Sequence, residues 1–276
     1  MFLRVTLIVL STLLSELLGC WGIRADDPPP SVAGAGFAHR MHETLRADYR
    51  GDTDRLLELH ARMARDTIDS ETKPWAHYWR GFARWRRSLN LMNEDPRSAE
   101  ALDDLRVAAR DFERAATWPE LFAEAQSARA ACVMSLGAMG GDPDSMRAAV
   151  RVFVPLLAAA VAAEPDNPRV LWVQSGSTFY RPAAVGGGPD AAIRLMERGL
   201  EQSRAERERP AHELAPRWGE AEHHMNLAWA WSSRPDPDLY RAEHHAREAL
   251  RRVPDWHYVR DHLMKRIRQA RRDVSP

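Results

Sequence analysis

The tetrapeptide Ala-Glu-His-His occurs twice, at 221–224 and at 242–245, and offers the richest set of metal-ligating side chains in the chain. If the two helices that carry it pair antiparallel, two imidazoles and a carboxylate meet, a ligand set that suits zinc. Adjacent histidines diverge by about 100° around a helix, so each pair turns only one ring inward. No HExxH spacing and no CxxC pair accompanies them. His39, His42 and Glu43 have helical spacing but stand near the start of the chain, and are expected to face solvent. Gly186-Gly187-Gly188-Pro189 precedes a helix whose N-terminus would suit an anion. No lysine, serine or threonine follows to grip a phosphate, so the run reads as a turn lengthening one hairpin. Gly-x-Ser-x-Gly, P-loop and dinucleotide-binding glycine patterns are absent. The expectation is a non-enzyme with no catalytic residue, no resident cofactor and no metal; a metal-dependent enzyme built on the histidine pairs is the weakest alternative.

Binding rather than catalysis is suggested by arginines and aromatics. Trp75, Tyr78, Trp79, Arg80, Arg84 and Trp85 fall in one helical stretch with more aromatic surface than a single face buries, and tryptophans recur at 172, 218, 229, 231 and 256. About two thirds of these are expected in the core, where aromatics dominate. Arg80 and Arg84 stand one turn apart and could share a carboxylate through charge-assisted bonds.

The elements that must position these groups are helices. Of 276 residues, 45% are hydrophobic and 28% charged, which excludes a disordered or collagen-like chain. Lys+Arg and Asp+Glu both number 39, so no basic field exists to hold nucleic acid or an anionic membrane surface. Helix-favouring Ala, Leu, Arg and Glu dominate over Val, Ile and Tyr. Residues 1–25 carry Arg4 before an apolar stretch at 5–18, too short to span a bilayer, and read as a secretory signal peptide. Leu17-Leu18-Gly19-Cys20 would place a lipid on Cys20, whereas cleavage after Ala25 would release a soluble product; the location is periplasmic or secreted either way. Cys132 then has no disulfide partner and is expected to pack as a small buried hydrophobe. Residues 26–34, rich in Pro, Gly and Ala, are expected to form a flexible leader ahead of one domain at 35–272.

Asp142-Pro143, Asn167-Pro168, Gly188-Pro189 and Asp236-Pro237 each pair a capping residue with a proline suited to the first helical position. Between such stops, 3.6-residue periodicity predicts helices at 35–50, 53–69, 74–91, 97–116, 119–139, 143–163, 168–180, 189–208, 215–232, 238–252 and 254–272. Short connections make five hairpins and a terminal helix.

Asn226-Leu227-Ala228 with Trp231, followed by Ala242, Ala246, Ala249 and Pro254, resembles the tetratricopeptide (TPR) repeat. Partial copies follow Ala108-x3-Phe112-x2-Ala115, Trp172-x3-Gly176-x2-Phe179 and Ala192-x3-Met196-x2-Gly199. The resemblance covers roughly residues 70–270 and implies an all-α, TPR-like solenoid of about five hairpins with a C-terminal capping helix. Its small residues would let paired helices approach while aromatics fill the space between hairpins. In such repeats an asparagine before the Leu-Gly/Ala pair binds a ligand peptide's backbone, and Asn226 occupies that position; a bond within its own helix pair is the competing role. The resemblance thus implies an interaction module whose partner, a protein or peptide, contacts Arg80, Arg84, Trp172, Asn226 and Trp229. A second likeness joins Phe179-Tyr180-Arg181-Pro182, the Gly186–188 run, Ala192 and Glu197-Arg198-Gly199-Leu200 to the periplasmic TRAP-transporter T component. It implies an accessory subunit of a transport system.

Overall fold

A computed structural model describes residues 32–274. The segment read as a signal peptide, with Cys20, and the leader up to residue 31 lie outside these residues. Eleven α-helices and no strand occur among the described residues: α1 Val32–Arg50, α2 Thr53–Arg62, α3 Lys73–Glu94, α4 Ala99–Ala115, α5 Phe122–Met139, α6 Pro143–Ala163, α7 Pro168–Tyr180, α8 Pro189–Arg207, α9 Glu220–Ser233, α10 Leu239–Arg252 and α11 Met264–Val274. The fold is all-α, and the helices pack as five successive hairpins followed by α11, in a solenoid-like stack.

Most boundaries sit where capping chemistry places them. The side chains of Asp52, Ser98, Asp142 and Asn167 accept backbone N–H bonds at the starts of α2, α4, α6 and α7. Pro143, Pro168 and Pro189 occupy the first helical turns after Asp142, Asn167 and Gly188. The Asp236-Pro237 expectation is corrected. Asp238 caps α10 instead, because its N–H is held by the Trp231 carbonyl at 3.0 Å while its carboxylate accepts from the Arg241 N–H.

Three expected helices end or begin elsewhere, each for a visible reason. The helix expected at 53–69 stops at Arg62, and the chain turns so that Asp66 meets Arg40 at 2.5 Å. The helix expected at 215–232 begins at Glu220, because the preceding segment is spent on the core. There Trp79 Nε1 donates to the Leu214 carbonyl at 2.9 Å, and Trp218 Nε1 donates to the Tyr78 hydroxyl at 3.0 Å. The expected terminal helix opens with a π-helical segment, Tyr258–Leu263.

The principal core lies inside the stack. Tyr78, Trp79, Phe82 and Trp85 from α3 pack with Phe112 from α4 and with Trp218. Burying each such ring contributes roughly 1.5–3 kcal/mol. Cys132 is fully buried among them, and burial pushes its thiol well above the usual range, so it is inert packing. A second core joins α8, α9 and α10 to the terminal segment through Leu227, Ala246, Ala249 and Trp256. The first described helix docks on the later part of the stack: Tyr49 stands edge-on to Trp256 at 5.0 Å and donates to Glu222 at 2.5 Å. Buried ion pairs tie hairpins together, Arg86 with Asp48 at 2.7 Å and Arg169 with Glu124 at 2.5 Å.

Candidate functional site

The five expected contact residues do not form one groove. Arg80 and Arg84 project from α3 towards α4 and meet different carboxylates. Arg80 Nε lies 3.6 Å from Asp111 and a terminal nitrogen lies 3.3 Å from His60 Nε2, while Arg84 pairs with Asp104. Burial alone would raise the Asp111 carboxyl, but hydrogen bonds to His60 and His77 and the charge of Arg80 hold it well below the usual carboxylate range. Asp104 also takes Arg87 at 2.6 Å. Both arginines therefore balance acids of the next helix. Trp172, on α7, packs edge-on against Trp85 at 5.6 Å and Trp218 at 5.8 Å, where the returning segment before α9 covers it.

Asn226 and Trp229 do come together, one turn apart on α9, and the sequence did not anticipate what joins them. Trp229 stacks at a tilt on Phe179, with ring centroids 4.4 Å apart, and Tyr180 stands 5.9 Å from Trp229. Phe179 and Tyr180 close α7, which the Asn167 cap and Pro168 start; the Gly186–188 turn then reverses the chain into α8. That turn is self-contained. Gly187 N–H donates to the Pro182 carbonyl at 3.1 Å and Gly188 N–H to the Thr178 carbonyl at 2.9 Å, so its amides are not turned to an anion. Gly188 adopts φ +96°, which a residue with a Cβ resists. Tyr180 is 77% exposed. Asn226 is half-buried, and among the described residues no hydrogen bond engages its side-chain amide. The result is an aromatic ledge beside a free amide.

The histidine pairs meet more closely than their sequence suggested. His224 and His245 face one another with Nδ1 atoms 3.0 Å apart, while His223 Nε2 donates to the Pro168 carbonyl at the start of α7, 3.0 Å away. Because a carbonyl only accepts, His223 Nε2 carries the proton. The carboxylates that should complete a ligand set are used elsewhere. Glu222 accepts from the Gly219 N–H and the Tyr49 hydroxyl, and Glu243 pairs with Arg247 and Arg271. Two rings without a third ligand make a poor zinc site. Burial pushes the His224 ring down to about 3, helped by Arg252, and the His245 ring down to about 4, helped by His244.

No protein-family model and no curated protein matches the chain. What the fold and surface define is an all-α stack of helical hairpins. Among solved structures, the HusA haemophore from Porphyromonas gingivalis is similar, with a TM-score of 0.55 at 19% sequence identity, over 74% of this chain and 95% of that one. The likeness is one of fold.

Proposed function

We propose that this chain is an exported, non-catalytic binding protein of the TPR-like kind, which holds a protein or peptide partner on the ledge formed by Asn226, Trp229, Phe179 and Tyr180. The unbonded amide of Asn226 beside three clustered aromatics carries the reading. An amide offers both a donor and an acceptor, which suits an extended backbone, and Tyr and Trp rings bury large area at low entropic cost. The signal-like segment at 1–25 supports export. A second reading takes its cue from the haemophore: Phe179, Tyr180 and Trp229 would offer apolar faces to a haem. An accessory role in periplasmic transport, resting on the segment around Gly186–188, is the third.

Pull-down from the native cell envelope, with wild type beside Asn226→Ala/Trp229→Ala, separates these readings. A partner lost in the variant with an unchanged circular dichroism spectrum supports the ledge. Capture of a solute-binding protein selects the transport role. A haemin absorbance shift in the wild type that the variant lacks selects the haem reading. Equal capture by both proteins overturns the ledge, and loss of capture only in His224→Ala/His245→Ala moves the site to the histidines.

A further inference from the structure

A different pair of histidines lies where the two ends of the fold meet. Glu94 is the last residue of α3, and His257 and His262 flank most of the π-helical segment that follows α10. His257 Nε2 lies 3.5 Å and His262 Nε2 lies 3.0 Å from the same Glu94 Oε1. The candidate ligand atoms of the three residues all fall within 4.8 Å of one another. They line a cleft of about 150 Å³ together with Asn90, Asn93 and Thr53.

We propose that Glu94, His257 and His262 bind a divalent metal ion of the zinc class, with the fourth coordination position open to the cleft. Four observations converge on this site. The first is spacing. Ligands at zinc's usual ~2.0–2.1 Å stand roughly 3.3 Å apart along a tetrahedral edge, and the two nitrogen–oxygen separations bracket that value.

The second is the helix form. Residues five apart on an α-helix diverge by about 140°, which would send His257 and His262 to different faces. Here the Met264 N–H bonds back to the Val259 carbonyl, five residues earlier, and widening of the turn brings the two rings to 5.0 Å between centroids. Single π turns are costly and concentrate at functional sites.

The third is orientation by neighbours. Gly51, at φ +71°, leaves room for the His257 ring: a Cβ there would stand 3.3 Å from its Cγ and Cδ2. His257 Nδ1 is buried with no hydrogen-bond partner among the described residues, and Asp261 Oδ2, which accepts from Arg260 at 2.7 Å, lies 3.9 Å from it, on the side where metal-bound histidines take an outer-shell carboxylate. The fourth is the field. Glu94 stands at the C-terminus of a 22-residue helix, where the helix dipole favours a cation over the carboxylate alone. The ion would tie the end of α3 to the terminal segment, beside the contact of Tyr49 with Trp256.

Zinc chloride titrated calorimetrically into EDTA-stripped protein tests the site, with cobalt(II) as the spectroscopic probe. One bound equivalent, a raised melting temperature and the intense visible absorption of tetrahedral cobalt are expected. Glu94→Gln and His262→Gln, both at partly exposed side chains, should each weaken zinc by more than about tenfold, the scale that loss of even an outer-shell partner costs. His224→Gln/His245→Gln should bind as the wild type does. Absence of stoichiometric zinc binding overturns the proposal. So does binding that survives Glu94→Gln and His262→Gln together, or that disappears with the His224/His245 variant alone.

Discussion

His224 and His245 meet across α9 and α10 with Nδ1 atoms 3.0 Å apart, so one ring donates and the other accepts, and both are neutral. Burial keeps them so, and it holds His223 down to about 4 as well. In the unfolded chain all three titrate near 6.5.

Stability should therefore depend on pH with a definite sign. Between about 6.5 and 4 the unfolded state binds more protons than the folded one, so stability present above 6.5 is lost as the pH falls through that window. Asp48 and Glu124, whose carboxyls burial pushes up, act in the opposite direction. Denaturant midpoints at pH 7 and 5 measure the sum, and His224→Gln/His245→Gln isolates the ring contribution. The variant should lose less stability over this interval than the wild type; parallel curves would refute neutral packing of the pair.

Gly199→Ala should destabilise the fold, because α8 passes so near α9 that a Cβ at 199 would stand 2.1 Å from His223 Cε1. His223 is pinned to the Pro168 carbonyl and cannot yield cheaply. Overpacking of this kind costs about 1–3 kcal/mol. Gly176→Ala, on α7 with nothing within 4 Å of the added Cβ, should instead gain roughly 0.5–1 kcal/mol from helix propensity. Thermal melts that show both changes with the same sign would contradict the packing described for His223.

Periodicity and caps made most of the helices legible. Asp142-Pro143, Asn167-Pro168 and Gly188-Pro189 are local devices, and local chemistry is what a sequence displays. The segment before α9 was not legible, because Trp218 reaches Tyr78 across 140 residues and no periodicity announces so distant a partner. The same contact covers Trp172, which spacing alone had placed at a surface. Arg80 and Arg84 stand one turn apart but do not share a carboxylate, because their separate partners Asp111 and Asp104 lie on a neighbouring helix whose rotation only the fold sets. Asn226 and Trp229 stood out by residue type and position; the ledge needed Phe179 and Tyr180 from another hairpin. His257 and His262 escaped notice because five-residue spacing separates faces in an α-helix, and a π turn leaves no sequence signature.

Arg169 joins three helices, with its guanidinium on Glu124 of α5 and Glu206 of α8. Both Arg169 and Glu124 are buried. Arg169→Met should cost about 3–5 kcal/mol, since it strands the Glu124 carboxylate away from water. Adding Glu124→Leu removes the stranded charge, so the double variant should be more stable than Arg169→Met alone. A double variant whose loss equals the sum of the two single losses would show that the charges do not act as a pair.

Ala249 and Arg247 give the sharpest check on the register of the last hairpin. Ala249 is fully buried on α10, in the core that the helix shares with α9 and the terminal segment, whereas the Arg247 side chain is 68% exposed and pairs with Glu243 at the surface. A tryptophan at 249 has no space to enter and must push the paired helices apart, a cost of about 1–3 kcal/mol or more. A tryptophan at 247 gives up one exposed ion pair and should stay within roughly half a kcal/mol. Thermal or denaturant melts of Ala249→Trp and Arg247→Trp should therefore differ clearly, with only the first lowering the midpoint. Equal midpoints would mean that α10 presents a different face to its partner, and the TPR-like alignment of Ala242, Ala246 and Ala249 would fall with it.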